Sequence, residues 1–462
     1  MAEIKLTSMT LPSTRIEVVE KSGHPRKGWL RCEEGENITF STVHLETYCL
    51  AQWEPIVYDA LLLAAAVEIA DRTLHRPALR WEREIEIRVP VHDLDRWNEK
   101  RVTEALHGTL NFLTGDGWHV TFVKRRRPAE SPAQGVFNLP EGLAAVIPFS
   151  DGLDSQIVAG LIGRELGNKL IRVRLGSKAS ETTSPRRRQP FTSVPYSVRP
   201  VTRDFVESSV RSRGFKFALI SGLAAYLAKA GQIIVSESGQ GALGPALVPV
   251  GQAYEDYRSH PLFTERMETF LAALLGHQVR FQFPRLWFTK GETLAKFISE
   301  CDGVGGWQDT WSCWQNARQV SVDKKKRQCG ICAACMLRRM SIHAAGLTES
   351  KQTYVWENLS ARKFDDGAAP SFPREKITGK LRQYAIAGSL HLDHLAGVPS
   401  SASNAHALSL TVSQLSRSLN INDAKLRPRL HRMLIKHGQE WKTFMESLGR
   451  NSFIADWVPA SL

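Results

Sequence analysis

The chain lacks an apolar run long enough to cross a bilayer. Its most hydrophobic stretch, Ala60–Val67, falls well short of the ~20 residues a spanning helix needs and reads instead as part of a buried helix. The first residues, MAEIKLTSMT, carry no apolar signal core. Internal repeats and extended low-complexity tracts are missing, which excludes solenoid and fibrous architectures. No helix-turn-helix or RNA-binding signature accompanies the basic residues. Cysteine is scarce, with seven in 462 residues, and unevenly spread. Cys32, Cys49 and Cys301 stand alone as ordinary buried thiols, whereas Cys313, Cys329, Cys332 and Cys335 crowd one region. Without an export signal, that clustering favours metal ligation over disulfides. These absences predict a soluble, cytoplasmic protein with no membrane partner.

What is present supports two or three globular domains: 462 residues, 42% of them hydrophobic. The net charge of +13 attracts polyanions, either nucleic acid or nucleotide phosphates. Basic runs at Lys124–Arg127, Arg186–Arg188 and Lys324–Arg327 read as solvated loops, so nucleic acid is possible as a partner but not favoured.

Three regions follow from pattern. Residues 1–140 form an α+β domain, with an apolar helix around Ile56–Ile69 and strands where Ile85, Ile87 and Val89 alternate, and again at Trp118–Val123. RRRPAESPAQG then marks a linker. Residues 141–348 alternate strands and helices: a strand at Ala144–Phe149, a helix ended by Gly167, strands at Lys169–Leu175 and Val194–Arg199, a helix over Phe215–Ala230 stopped by Gly231, and a strand at Gln232–Ser236. This order predicts an α/β fold, a doubly wound parallel sheet with helices on both faces. Residues 349–462 are helical, with apolar spacing at Ser409–Leu419 and Ala424–His437; His391 and His394 there read as exposed or capping residues.

The strongest chemistry lies in VIPFSDGLDSQIV, a strand, a tight loop and a helix start in immediate succession. Ser150 and Ser155 offer hydroxyls, Gly152 admits close backbone approach, and the opening helix of Leu153 and Asp154 presents unpaired amides to an anion. The same residues also fit a plain helix cap, with Asp154 or Ser155 satisfying those amides.

Cys313, Cys329, Cys332 and Cys335 form C-x15-C-x2-C-x2-C. Two-residue gaps let neighbouring thiolates curl round one ion, and Cys313 completes a tetrahedron. Four thiolates make a closed zinc site, structural and not catalytic; an iron–sulfur or redox centre is the alternative.

FSDGLDS, Phe149–Ser155, resembles the SGGxDS loop of the N-type ATP pyrophosphatases, the PP-loop family, which cleave ATP between the α- and β-phosphates and adenylate an acceptor. Asp151 stands where that pattern has its first glycine, placing negative charge near the phosphates. Together with SCW and CGxCxxCxxR, the loop resembles the QueC family of 7-cyano-7-deazaguanine synthases. Arg338 fits the last arginine of that motif, Arg213 in SRGFKF resembles the arginine of a GRN segment, and Lys290 in FTKGETLAKF resembles the lysine of a K-x-E segment. The glycine-rich loop Glu237–Gly244 diverges from its family counterpart. The resemblance covers about 200 residues, and the long flanks are similar to QatC, the QueC-like component of an anti-phage defence operon. It implies ATP, magnesium and zinc as cofactors, a PP-loop fold, ATP held at Phe149–Ser155, and Asp154, Ser155, Arg213 and Lys290 acting in catalysis. It further implies adenylation of a 7-carboxy-7-deazaguanine followed by attack of an amine. That amine is either ammonia, giving the nitrile, or an amino group on a protein partner from the same operon, held by the flanks. A zinc-ribbon nucleic-acid-binding protein with a degenerate loop is the competing expectation.

Overall fold

The computed structural model describes residues 11–41, 54–77, 81–127, 142–175, 194, 196–207, 211–249, 253–301, 306–315 and 320–458. The N-terminal decapeptide, Cys49, the basic run 186–188, the linker beyond Arg127 and the division at 140/141 lie outside the described residues.

Strands β1 (Ser13–Val19), β2 (Leu30–Glu33) and β3 (Ile38–Phe40) precede helix α1 (Pro55–Thr73). Proline opens α1, where its missing amide costs no bond. Ala60–Val67 of this helix is fully buried, so the apolar run is core. Among the described residues no helix is long and apolar enough to cross a membrane. Then come β4 (Glu84–Val91), α2 (Lys100–Thr114) and β5 (Gly117–Lys124). The order is β2-β1-β4-β5, and every pairing is parallel. Ile85, Ile87 and Val89 are buried on β4, and Trp118, Val120 and Phe122 on β5, as their alternation requires. The returns to β4 and to β5 carry helices α1 and α2, whereas residues 20–29, between the parallel strands β1 and β2, hold no helix.

β6 (Ala145–Pro148) leads into α3 (Leu153–Leu166), which ends at Gly167 with φ 53°, followed by β7 (Leu170–Val173). β8 (Tyr196–Val198) departs from the expected sheet position and pairs antiparallel with β3. α4 (Arg211–Leu227) ends before Gly231; the left-handed residue after it is Lys229, φ 53°. β9 (Gln232–Ile234), α5 (Pro261–Leu275) and β10 (Arg280–Gln282) complete a second sheet, ordered β10-β9-β6-β7, with β6 and β9 parallel. The expected loop at Glu237–Gly244 coils instead into helical turns at Gly239–Ala242 and Gly244–Leu247. Helices α6 (Lys290–Glu300), α7 (Ala333–Ala344), α8 (Gly379–Gly397), α9 (Ala405–Leu419) and α10 (Asp423–Leu448) follow. The architecture is mixed α/β with parallel sheets and a helical C-terminal region.

Packing divides the chain into two discontinuous units, one of Met1–Val146, Ile171–Ile233 and Phe263–Arg280, the other of Ile147–Leu170, Ile234–Leu262 and Phe281–Leu462. In the second unit the four clustered cysteines share one core with Met340, Trp356, Phe364, Trp441 and Phe444. The cysteine-rich segment and the C-terminal helices are therefore one packed body. His391 is buried, contrary to its expected exposure, and its Nδ1 lies 2.7 Å from the Val248 carbonyl; His394 is exposed.

Candidate active site

Both serine hydroxyls brace the loop from within. Ser155 Oγ accepts from the Ser150 amide at 3.1 Å and donates to the Pro148 carbonyl at 3.3 Å, while Ser150 Oγ accepts from the Gly152 amide at 3.2 Å. A Cβ on Gly152 would sit 3.2 Å from Ser150 Oγ, so glycine suits this tight approach. Phe149 and Leu153 are buried on either side, and the Asp151 carbonyl accepts from the Trp311 amide at 2.7 Å. Gly152 caps α3 without any side-chain bond. The plain capping alternative is thus not realised, and the helix start keeps the amide donors and positive dipole end that suit an anion.

Asp154 turns its carboxylate to a cation. Its Oδ2 lies 2.5 Å from Lys290 Nζ, with side-chain exposures of 13% and 8%, and its Oδ1 accepts from Ser238 Oγ at 3.4 Å. Burial alone pulls the Lys290 ammonium down, but Asp154 and Glu237 outweigh it, and its pKa is raised. Glu237 is pushed up to about 8 by burial and by Asp154, against the pull of Lys290 and Arg258.

Lys290 is the first residue of α6, and that helix start is fixed from several directions. Thr289 and Glu292 form a capping box. Thr289 Oγ1 donates to Glu440 Oε1 at 2.6 Å, and the Lys290 amide donates to Gln240 Oε1 at 2.7 Å. Gln240 Nε2 in turn meets His437 Nδ1 at 2.8 Å. Helix α10, through His437 and Glu440, therefore helps set where the lysine stands. Arg213 belongs to the other unit, on α4, with its guanidinium 5.2 Å from the Phe217 ring centre. Arg338 is fully buried and donates to Glu349 at 2.5 Å, to Thr310 Oγ1 at 2.5 Å and to the Trp307 carbonyl at 3.1 Å, the contacts of a structural clamp.

Glu237, Ser238, Gln240 and Arg258 join this cluster without a sequence signal of their own. The first three lie in the glycine-rich segment singled out after a strand end; nothing local marked them as partners of residues 84 or 50 positions away.

The four cysteine sulfurs, all buried, lie within 4.8 Å of one another. Cys329 and Cys335 Sγ are 3.8 Å apart, the edge of a tetrahedron whose metal–sulfur bonds are about 2.3 Å. The Cys329 amide donates to Cys313 Sγ at 3.2 Å and the Cys332 amide to Cys329 Sγ at 3.3 Å, bonds that stabilise thiolates. The thiols of its three neighbours hold Cys313 below the usual range, while burial pushes Cys329 and Cys335 well above it. A divalent cation would let four thiolates share this core, and zinc fits the donor set. Gly330, at φ 84° and with Arg339 Nη1 and the Trp356 carbonyl 3.0 Å from where a Cβ would be, makes the turn between ligands.

No curated protein matches the chain. Residues 243–346, which hold Lys290, the four cysteines and Arg338 but not Phe149–Ser155, match the family described as Queuosine biosynthesis protein QueC, so that stretch is a QueC family domain.

Proposed function

We propose that the protein is an ATP-dependent carbon–nitrogen ligase that adenylates a 7-deazaguanine carboxylate at Phe149–Ser155 and couples it to an amine, the chemistry of a QueC-like synthase in the cytoplasm. The observation that carries this reading is the buried Asp154–Lys290 pair beside a helix start with no side-chain cap. A carboxylate is a poor acyl donor until its oxygen joins a leaving phosphate. Its attack on the α-phosphorus forms a C–O–P link and expels pyrophosphate. The loop amides and the helix start hold the phosphate oxygens, and the Lys290 ammonium offsets charge developing on them. Asp154 keeps that ammonium charged and aimed. Magnesium, when bound with ATP, would neutralise the phosphates further; zinc at the cysteines would be structural, because four thiolates leave a closed site with no open position for substrate.

For the amine we favour an amino group on a protein partner encoded in the same operon, in line with the resemblance of the long flanks to QatC. About 140 residues precede the PP-loop region, enough to offer the roughly 800 Å² per side of a stable interface. Docking would raise the local concentration of the amine and orient it. Burial of all four cysteines in a core speaks against a zinc ribbon that reads nucleic acid.

The test is ATP–pyrophosphate exchange with 7-carboxy-7-deazaguanine, and mass measurement of every operon-encoded partner afterwards. Carboxylate-dependent exchange that disappears in Ser155→Ala, with a partner gaining the mass of an amide-linked deazaguanine, is the expected result. Absence of exchange in the wild type would sink the adenylation reading. Free nitrile with no partner mass change would replace conjugation by ammonia-dependent synthesis.

A further inference from the structure

We propose that the Glu237 carboxylate accepts the proton of the attacking amine as it adds to the acyl-adenylate. This rests on the adenylation reading and names a group for its second half-reaction.

Four observations place Glu237 for that task. It follows β9, at the end of a strand of the second sheet, where open α/β sheets bind their ligands. Its neighbour Ser238 donates to Asp154, so the chain at this point is joined to the phosphate loop. Its carboxylate is laid over Gly241, where a Cβ would meet Oε2 at 2.2 Å, so the side chain is packed in place. Among the described residues, no group hydrogen-bonds that carboxylate, although charges surround it: Asp154 on α3, Lys290 on α6, and Asp256 and Arg258 before α5. Arg258 is itself held by Asp256, Nη2 to Oδ2 at 2.6 Å and Nε to both carboxylate oxygens at 2.9 Å. Lys290 is engaged by Asp154. The two cations therefore have other carboxylates, and Glu237 keeps open lone pairs for a substrate proton.

The environment also tunes the group. Burial and the Asp154 charge hold the proton up to about pH 8, which makes Glu237 a far stronger base than an ordinary glutamate. The step balances without any further reactant. The amine nitrogen forms a C–N bond to the acyl carbon, its proton passes to the Glu237 carboxylate, and the C–O bond to AMP breaks with its electron pair leaving on the phosphate oxygen. AMP departs, and the glutamic acid then returns its proton to solvent.

The experiment compares wild type, Glu237→Gln and Glu237→Asp with ATP, 7-carboxy-7-deazaguanine and ammonia across about pH 6–9.5, reading exchange and amide formation separately. Glutamine keeps the size of the side chain over Gly241. Glu237→Gln is expected to retain exchange within about twofold while amide formation falls about 10²–10⁴-fold. Ammonia's own titration cancels in the ratio of wild-type to Glu237→Gln amide rates. That ratio should climb about tenfold per pH unit and flatten above about pH 8. Partial recovery of the same limb in Glu237→Asp would support the carboxylate as base. Equal loss of both half-reactions, a flat ratio, or an increased KM for the deazaguanine in exchange would overturn the proposal, the last by making Glu237 a reader of the base. A wild type that performs no exchange overturns the adenylation reading itself, an outcome distinct from all of these.

Discussion

Replacing Lys290 by methionine keeps the length of the side chain and removes its charge. At 2.5 Å and an effective dielectric of 20 the gross attraction to Asp154 is about 7 kcal/mol, but most of it is offset by the desolvation of two nearly buried groups. What the single substitution exposes is the remainder: a carboxylate left beside Glu237 with no cation bonded to it. Breaking such a pair costs about 3–5 kcal/mol, and the residual exposure of 13% on Asp154 argues for the lower end, about 3 kcal/mol. Asp154→Asn/Lys290→Met removes both charges and should recover most of that loss, giving a favourable coupling of about 3 kcal/mol in the double-mutant cycle. Catalysis should separate from stability. Both variants are expected to lose pyrophosphate exchange by about 10²-fold or more, because the ammonium that offsets charge on the phosphates is gone from each. Urea unfolding of wild type, Lys290→Met, Asp154→Asn and the double variant gives the cycle, and exchange at saturating ATP gives the rate. A Lys290→Met protein as stable as wild type would show that the pair is not an energetic unit. A stable, fully active double variant would remove Lys290 from the mechanism.

Two further outcomes concern the metal and the loop. Purified protein is expected to carry about one zinc per chain, lost in Cys332→Ser/Cys335→Ser together with a large drop in thermal stability, since the ligands sit in the core with Trp441 and Phe444; a metal-free wild type that melts cooperatively at the same temperature would contradict this. Asp151→Gly should tighten ATP binding by about 1 kcal/mol, the value of one charge at 4 Å in water, measured by isothermal titration. The carbonyl bond to Trp311 survives the change because it is backbone, so unchanged affinity would mean that the Asp151 charge does not act on the phosphates.

Much of this architecture was legible because local pattern and tertiary use agree. The period-two alternation around Ile85–Val89 and Trp118–Phe122 became buried strand faces, and FSDGLDS sits where strand gives way to helix. The cysteine spacing announced a shared site, and the sulfurs do converge. What escaped was long-range. The β3–β8 pairing joins residues about 160 positions apart, and three-residue strands carry too little periodicity to choose a partner. Glycines at Gly239, Gly241 and Gly244 suggested an open loop, yet each is crowded: a Cβ would meet the Leu286 carbonyl at 2.2 Å, Glu237 at 2.2 Å and Leu395 at 3.0 Å. They are glycines because neighbours press on a helical turn. Lys290 drew attention only through a resemblance; its capping box was readable from Thr289 and Glu292, but its partner Asp154 was not.

The packing of the cysteines against α10 has a consequence for synthesis. A ribosome delivers Cys313 to Cys335 more than a hundred residues before Trp441 and Phe444. During that interval the thiols stand without the wall that will bury them, open to metal, oxidant or each other. Metal capture first would cross-link the nascent segment and leave a template on which the last helix condenses. The metal-bound turn is then an early nucleus, and arrival of Trp441 and Phe444 closes the core around it.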